Sequence, residues 1–388
     1  MKKIKVLNII PSLQDGGIES LIFRIYKGLD DKKFDLSVYC LANIELNYSY
    51  RRFLDIGCKV TTFNFINTNR KFHHIFTNLL QLVKMTYAIN KYKPHIVHSQ
   101  DFFSASITRF SLILSRLFLY KPRKSFVTLH NMQFWLGWLH RKVNKVLSFT
   151  TDKIICNSES VYKFSLENDK INSKKYIVVY NGIDTAEYKP DTFSKNYLMD
   201  KFQIESGDFL IGNVATFSVR KGHKYLLIAF SELIEDYKNL KLVLVGGKRT
   251  HELGVYDEMI QIIADNKIKD KVYFLEPRHD IDKFYNGIDL YVMPSAVEGF
   301  GLALAEAMAC GKIVIASDIP PFKEIINDGQ NGFLFRNKDV YSLKEVMSFV
   351  ISNYNQLSDI AINARNTIVN KFSSAAMIKK YDELYSIF

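Results

Sequence analysis

Two rhythms of apolar and polar positions run along this 388-residue chain. Short, β-rich apolar runs recur near residues 4–10, 35–41, 59–65, 95–99, 125–129 and 153–156, with stretches of helical spacing between them. Past a Pro-, Asp-, Thr- and Ser-containing stretch near residue 190 the alternation resumes, with strand-like runs at 209–214, 240–245, 272–275, 290–293 and 313–316. Helical patterns then continue from 340 to the end. Strand and helix in alternation predict α/β domains on parallel sheets, because two parallel strands need a crossover between them. The length fits two such domains, 1–190 and 191–370, each able to bury its own core. The opening MKKIKVLNII reads as the first strand, since Lys5 interrupts the apolar run a signal peptide needs. No run of about 18 apolar residues occurs, so no membrane-spanning helix is expected.

The chemistry is densest in Asp289–Asp318, DLYVMPSAVEGFGLALAEAMACGKIVIASD. Leu290–Met293 and Ile313–Ala316 read as strands, joined by a Gly-punctuated loop and an Ala-rich helical segment ending at Gly311. Gly299 and Gly301 leave the backbone open at the helix start, where free N–H groups and the dipole favour a phosphate. Glu298 precedes that start and Glu306 lies inside an otherwise apolar helix. A lone carboxylate there is either surface-facing or holds something, and carboxylates accept the paired hydrogen bonds that sugar hydroxyls donate.

Other segments punctuate strand ends. PSLQDGG, with Gly16 and Gly17, separates the first strand from a helix to about Leu29, so a ligand has access to its backbone. It is not G-x-G-x-x-G, and no acidic residue ends the next strand, which argues against a dinucleotide. His98 and His130 end two strands, where ligands of open α/β sheets bind. Asp280-Ile281-Asp282 has the D-x-D spacing of some metal sites, but its place before a short helix reads as an N-cap.

Hydrophobic content of 47% and charged content of 24% are ordinary for a globular protein. The four cysteines lack metal or redox spacing; all but Cys58 sit in or beside apolar runs and read as reduced core residues of a cytosolic protein, and the pattern gives Cys58 no role. Charge changes the picture more. Residues 1–190 hold 29 Lys+Arg against 14 Asp+Glu, and residues 191–388 hold 23 against 26, so the whole net charge of +12 sits in the first half. That asymmetry implies an anionic partner for the first domain. The only two tryptophans, Trp135 and Trp138, lie in a helical stretch over 134–149 beside Arg141, Lys142 and Lys145, a composition suited to a membrane interface. The apolar stretch 104–120 fits either an interface or a buried helix. No RNA-binding signature occurs, and the basic residues are interspersed with apolar ones, so no nucleic-acid partner is expected.

The stretch PS-x2-EGFGL-x3-EAMACG before a strand resembles the E-x7-E segment of the retaining family 4 glycosyltransferases. The GG-x-E loop at Gly16-Gly17, VTLHN ending at His130, IICNSE at 154–159 and VVYNGIDTAEYKP at 178–190 resemble further segments of that family. The second histidine of the family's IVHSH is Gln100 here. The resemblance implies a GT-B fold, two Rossmann-like domains facing a central cleft, with a last helix over 371–388 crossing back onto the first domain. It implies a nucleotide-sugar donor, probably UDP-linked, held chiefly by the second domain. Glu306 is then expected at the ribose hydroxyls. Glu298 is expected at the donor-sugar hydroxyls with Gly299, Phe300, Gly301 and Leu302, whose amides also face the diphosphate, His130 at the donor sugar, and the Gly16-Gly17 loop against the donor as well. Lys221 matches the family's lysine for the leaving diphosphate. The family's partner arginine falls at Thr216, where Arg220 is the candidate substitute, and Lys312 stands where proline is usual. With such cations no metal or cofactor is required.

The function expected is sugar transfer to a lipid-linked saccharide or growing polysaccharide acceptor for a bacterial surface glycan, in the cytoplasm at the inner face of an anionic membrane. A nucleotide-sugar epimerase of the same fold and a non-catalytic partner subunit are the alternatives.

Overall fold

The computed structural model describes residues 3–13, 16–42, 47–62, 71–117, 120–191, 198, 204–205, 207–248 and 252–387. The chain forms two compact units, Met1–Gly182 with Ser374–Phe388, and Ile183–Ser373. The division falls before residue 190 because Ile183 already belongs to the second unit. Its amide donates to the Phe372 carbonyl at 2.8 Å and it bridges Ser373. Farther on, Asp191 N–H reaches Asn286 Oδ1 at 2.9 Å.

In the first unit strands β1 (Ile4–Ile10), β2 (Phe34–Cys40), β3 (Lys59–Thr62), β4 (Ile96–Gln100), β5 (Lys124–Leu129), β6 (Lys153–Cys156) and β7 (Tyr176–Val178) alternate with helices α1 (Gly17–Gly28), α2 (Tyr48–Asp55), α3 (Lys71–Tyr92), α4 (Phe102–Leu117), α5 (Trp138–Leu147) and α6 (Glu159–Asp169). The sheet is parallel throughout, in the order β3-β2-β1-β4-β5-β6-β7. Val6, Ile9, Ile96 and Val97 have no exposure, as expected for strands covered on both faces. Residues 63–65 of the expected third strand and 118–119 of the expected 104–120 helix lie outside the described residues. The expected 134–149 helix is shorter: Gly137 is extended (φ −67°, ψ 166°), α5 begins at Trp138, and Ser148–Thr150 tighten into a 3-10 turn.

The C-terminal helix Ser374–Tyr385 packs on α1 in this same unit. Gly28 permits the approach, since a β-carbon there would lie 2.2 Å from Ile378 Cδ1. Tyr381 and Tyr385 enter the core around His98. His98 spends both ring nitrogens internally, Nδ1 with Tyr385 OH and Nε2 with Thr128 Oγ1, each at 2.7 Å. His98, expected at a strand end, lies inside β4, which runs on to Gln100, and is a structural tie.

The second unit carries β8 (Phe209–Val214), β9 (Leu240–Val245), β10 (Val272–Leu275), β11 (Leu290–Met293), β12 (Ile313–Ser317) and β13 (Phe333–Phe335), all parallel in the order β10-β9-β8-β11-β12-β13. Helices His223–Leu233, Leu253–Asp265, Val340–Asn353 and Ser358–Lys371 are among those covering it. Asp280 does stand at the N-cap of helix Ile281–Gly287, but its carboxylate makes no capping bond. It accepts instead from Arg278 Nε at 2.7 Å and Nη2 at 2.6 Å, and these bonds hold its pKa below the ordinary carboxylate range. A bidentate charged pair outcompetes a neutral amide for the same oxygens. All four cysteines are free and buried, and burial pushes the Cys40 thiol up to about 11 and those of Cys58 and Cys310 to about 12. Among the described residues no helix is long and apolar enough to cross a membrane.

Tyr385→Phe leaves a His98 ring nitrogen unpaired in the core, which should destabilise the protein by about 1–3 kcal/mol. Chemical denaturation checks this; an unchanged midpoint would remove the tie.

Candidate active site

In both parallel sheets the strand order reverses at one place, between β1 and β4 and between β8 and β11. The crevice beyond the carboxyl ends of such neighbouring strands is where an open α/β sheet receives ligands.

In the second unit the loops after β8 and β11 are laced together. Gly222 has φ +69°, and a β-carbon on it would lie 2.1 Å from the Pro294 carbonyl oxygen. Ala296 N–H donates to the Arg220 carbonyl at 2.8 Å. This contact carries Lys221 to Glu298, and Lys221 Nζ pairs with Glu298 Oε1. The two side chains are only 13% and 11% exposed. Gly301, at φ +105°, opens helix Leu302–Ala309; a β-carbon there would meet the Phe322 ring at 2.6 Å. The Phe300 side chain turns inward, its ring 5.6 Å from that of Phe372, so Gly299–Leu302 contribute backbone to the helix start. Glu306 is partly buried and accepts from Tyr285 OH at 3.2 Å. Thr216 is exposed and Arg220 half-buried, so Lys221 is the cation joined to Glu298. Lys312, in place of the usual proline, donates to the Asn286 carbonyl at 2.9 Å and ties the end of the helix before β11.

A further group here carries no mark in the sequence pattern. Asn213 Oδ1, Ser218 Oγ, Ser295 Oγ, Ser317 Oγ and both ring nitrogens of His223 are buried with no hydrogen-bond partner among the described residues. Each such orphan costs roughly 1–3 kcal/mol. They stand at the carboxyl ends of β8, β11 and β12, in the loop after β8 or, for His223, at the start of the helix that follows that loop. Burial, aided by the Lys221 charge, lowers the His223 pKa to about 3 and keeps the ring neutral.

In the first unit Gly16 and Gly17 start α1, and Glu19 folds back over that start, its Oε2 lying 2.7 Å from where a β-carbon on Gly16 would be. His130 follows β5. Gln100 Nε2 donates to Asn8 Oδ1 at 2.9 Å, which leaves Gln100 Oε1 to accept from His130 Nε2 at 2.8 Å. The proton of the neutral ring is thereby fixed on Nε2, and Nδ1 keeps its lone pair. Burial lowers the His130 pKa to about 4. Gln100, which stands in place of the family's second histidine, thus orients His130.

Two family descriptions tile the chain: Glycosyltransferase Family 4 over residues 15–187 and Glycosyl transferases group 1 over residues 194–367. The chain belongs to glycosyltransferase family 4. It is 24% identical to the capsular polysaccharide biosynthesis glycosyltransferase CapM of Staphylococcus aureus, over 81% of this chain and 82% of that protein. It is 23% identical to an Escherichia coli UDP-Gal:alpha-D-GlcNAc-diphosphoundecaprenol alpha-1,3-galactosyltransferase, over 99% and 96%. The crystal structure of Anabaena HepE in complex with UDP and glucose superposes with a TM-score of 0.86 at 20% identity, over 99% of this chain and 100% of that one. The fold is therefore GT-B, and the chain is an enzyme of sugar transfer; these relatives do not favour the epimerase or the non-catalytic subunit.

The glycosyltransferase's two tryptophans are 65% and 69% exposed, and Lys142 Nζ sits 4.6 Å from the Trp138 ring centroid. Lys142 and Lys145 are exposed. Arg141, expected to face the same surface, turns inward. It pairs with Asp169 at 2.6 Å and donates to the Leu136 and Gln133 carbonyls at 3.1 and 2.9 Å. Its charge is needed there because Asp169 is buried.

His98, at about 3, His130, at about 4, and His223, at about 3, are all held below the ordinary histidine value of 6.5. The unfolded chain binds more protons than the folded one between these values and 6.5, so stability rises with pH through that window. Their contribution is complete above about pH 6.5 and is lost as pH falls toward 4. The melting temperature should drop between pH 7 and pH 5, and less so in His98→Asn; a flat profile would contradict the neutral, buried state.

Proposed function

We propose that this glycosyltransferase moves a sugar from a UDP-linked donor, with retention of configuration, to a lipid-linked or growing polysaccharide acceptor of a bacterial surface glycan. The observation that carries the reading is the Lys221–Glu298 pair beside the glycine-opened helix start at Gly301. Without donor each partner neutralises the other. With donor, Lys221 turns to the diphosphate and Glu298 to the sugar hydroxyls. The amides at Phe300–Leu302 meet the diphosphate, Arg220 supplies a second cation, and Glu306 takes the ribose hydroxyls. Preorganised donors of this kind act where charge develops on the leaving group. The bond from the anomeric carbon to phosphate breaks as the acceptor oxygen bonds to the same face, and the departing phosphate takes the acceptor's proton. His130 offers Nδ1 to the donor sugar. The orphaned polar atoms around Ser218, Ser295 and His223 favour a ligand-filled crevice. Support for the nucleotide and the acceptor class comes from relatives named for capsule synthesis and for a diphosphoundecaprenol acceptor, and from the UDP complex of HepE.

The first unit, carrying Gly16 and Gly17 and the excess positive charge, receives the acceptor at the inner face of an anionic membrane, with the enzyme peripheral and cytoplasmic. Trp135, Trp138, Lys142 and Lys145 contact that surface.

Glu306→Ala should weaken donor binding by about 10- to 100-fold, the worth of hydrogen bonds to a charged group. Glu298→Gln should lower kcat on the order of 100-fold with a smaller change in donor affinity. Steady-state kinetics with donor binding by calorimetry separates the two, and wild-type behaviour of both variants would sink the site. Because Lys221 and the helix start supply the positive charge, a chelator should leave activity unchanged; loss with rescue by manganese or magnesium would overturn this.

A further inference from the structure

The first unit holds a second concave, charged feature that sugar transfer does not use. A cavity of ≈ 280 Å³ is lined by Arg116, Lys121, Arg123 and Lys175, with Asp152 the one acidic side chain in the lining among the described residues. Asp152 accepts from Ser125 N–H at 2.8 Å and lies 3.6 Å from Lys124, so its charge is already answered. Lys175 is fixed by donating to the Ser148 and Thr151 carbonyls at 2.6 and 2.8 Å. Phe149 forms an apolar wall, with the Arg116 guanidinium 5.7 Å from its ring centroid. Four cations about one small cavity make a site for a doubly coordinated anion such as a phosphate.

The cavity lies at the opposite end of the sheet from His130. Pro122–Ser125 lead into β5 and Thr151–Asp152 lead into β6, whereas His130 follows the far end of β5. Six residues of strand, at about 3.3 Å each, put roughly 20 Å between the two places. Helix α5 spans the interval, and its amphipathicity is inverted. Asn144 is buried, donating to Asp169 and accepting from Arg109, while Arg141 holds the same Asp169. The outward face instead shows Trp138, Leu139, Val143 and Val146, all more than a third exposed, and it runs on to Phe149 at 56%. Lys142 and Lys145 are interleaved on that face, where long stems allow the ammonium groups to rise to a polar layer.

We infer that the cavity is a headgroup site: it binds the phosphate of one anionic phospholipid in the bilayer on which the α5 face lies. This rests on the membrane reading above and makes it specific. A soluble phosphate would have no use for the apolar strip that begins at the cavity's own Phe149 wall. A protein partner matched to that strip would not call for lysines between its apolar side chains. Interface and pocket together fix the unit's orientation, with the strand ends near Trp135 at one end of the contact and the held phosphate at the other.

Flotation of the full-length protein with vesicles of phosphatidylcholine and phosphatidylglycerol tests this. Arg116→Gln with Lys121→Gln removes two pocket charges. Lys142→Gln with Lys145→Gln removes two from the helix face. Two ordinary surface charges near an anionic bilayer are worth about 30-fold in affinity, from roughly 1 kcal/mol each. The pocket pair should lose at least tenfold more than the helix pair, with wild-type melting temperature, since both residues are exposed. Equal losses would overturn the headgroup site and leave membrane binding standing. Wild-type protein that ignores these vesicles at low salt would overturn both. Inorganic phosphate that binds the protein at micromolar concentration without displacing it from vesicles would assign the cavity to a soluble anion and overturn the proposal too.

Discussion

The Pro294 carbonyl oxygen occupies the space that a side chain on residue 222 would need. That single contact seats the turn after β8 against the loop after β11, two segments whose strands are neighbours in the sheet. The backbone bond from Ala296 to Arg220 follows from it, and so does the meeting of Lys221 with Glu298 across 77 residues of sequence. Any residue other than glycine at 222 meets two penalties at once, the left-handed backbone and a collision with main-chain atoms, which cannot swing aside as a side chain would. The site's charge pair therefore depends on an atom that is absent.

Around this contact the second unit holds its catalytic candidates under tension of an ordinary kind. Two charges little exposed to water are stable only in company, and removing either leaves the other uncompensated. Several nearby hydroxyls and an imidazole are buried with no hydrogen-bond partner among the described residues. A fold that tolerates such groups is less stable than one that satisfied them, and the deficit is concentrated at one end of the sheet.

Much of this was legible in the sequence and some was not, for physical reasons. The strands were legible because both faces of a parallel sheet are covered, which makes each strand a short unbroken apolar run. Gly301 marked the helix start because few other residues permit its left-handed backbone. The partnership of Lys221 and Glu298 was not legible, since spacing along the chain carries nothing about which loops a sheet brings together. His98 and His130 look alike as strand-end histidines, yet one is locked by Tyr385 and Thr128 and the other is held by Gln100 with one nitrogen to spare. Asp280 took a cap position without capping, because Arg278 stood two residues upstream. The 134–149 stretch was expected to present Arg141 outward. Periodicity marks the faces of a helix and not which one is buried, and here the Arg109–Asn144–Asp169–Arg141 network decides.

The outward apolar face of α5 has a consequence for the protein away from any membrane. An exposed strip of this kind is also complementary to itself, and two copies meeting through it would aggregate. What keeps them apart is the charge of the surrounding half of the chain, 29 basic residues against 14 acidic up to position 190. Like-charged bodies repel over about a Debye length, so the same lysines that favour an anionic surface act as a colloidal stabiliser in its absence. Attraction to the anionic surface and dispersal in solution are then one electrostatic property, and ionic strength weakens both together.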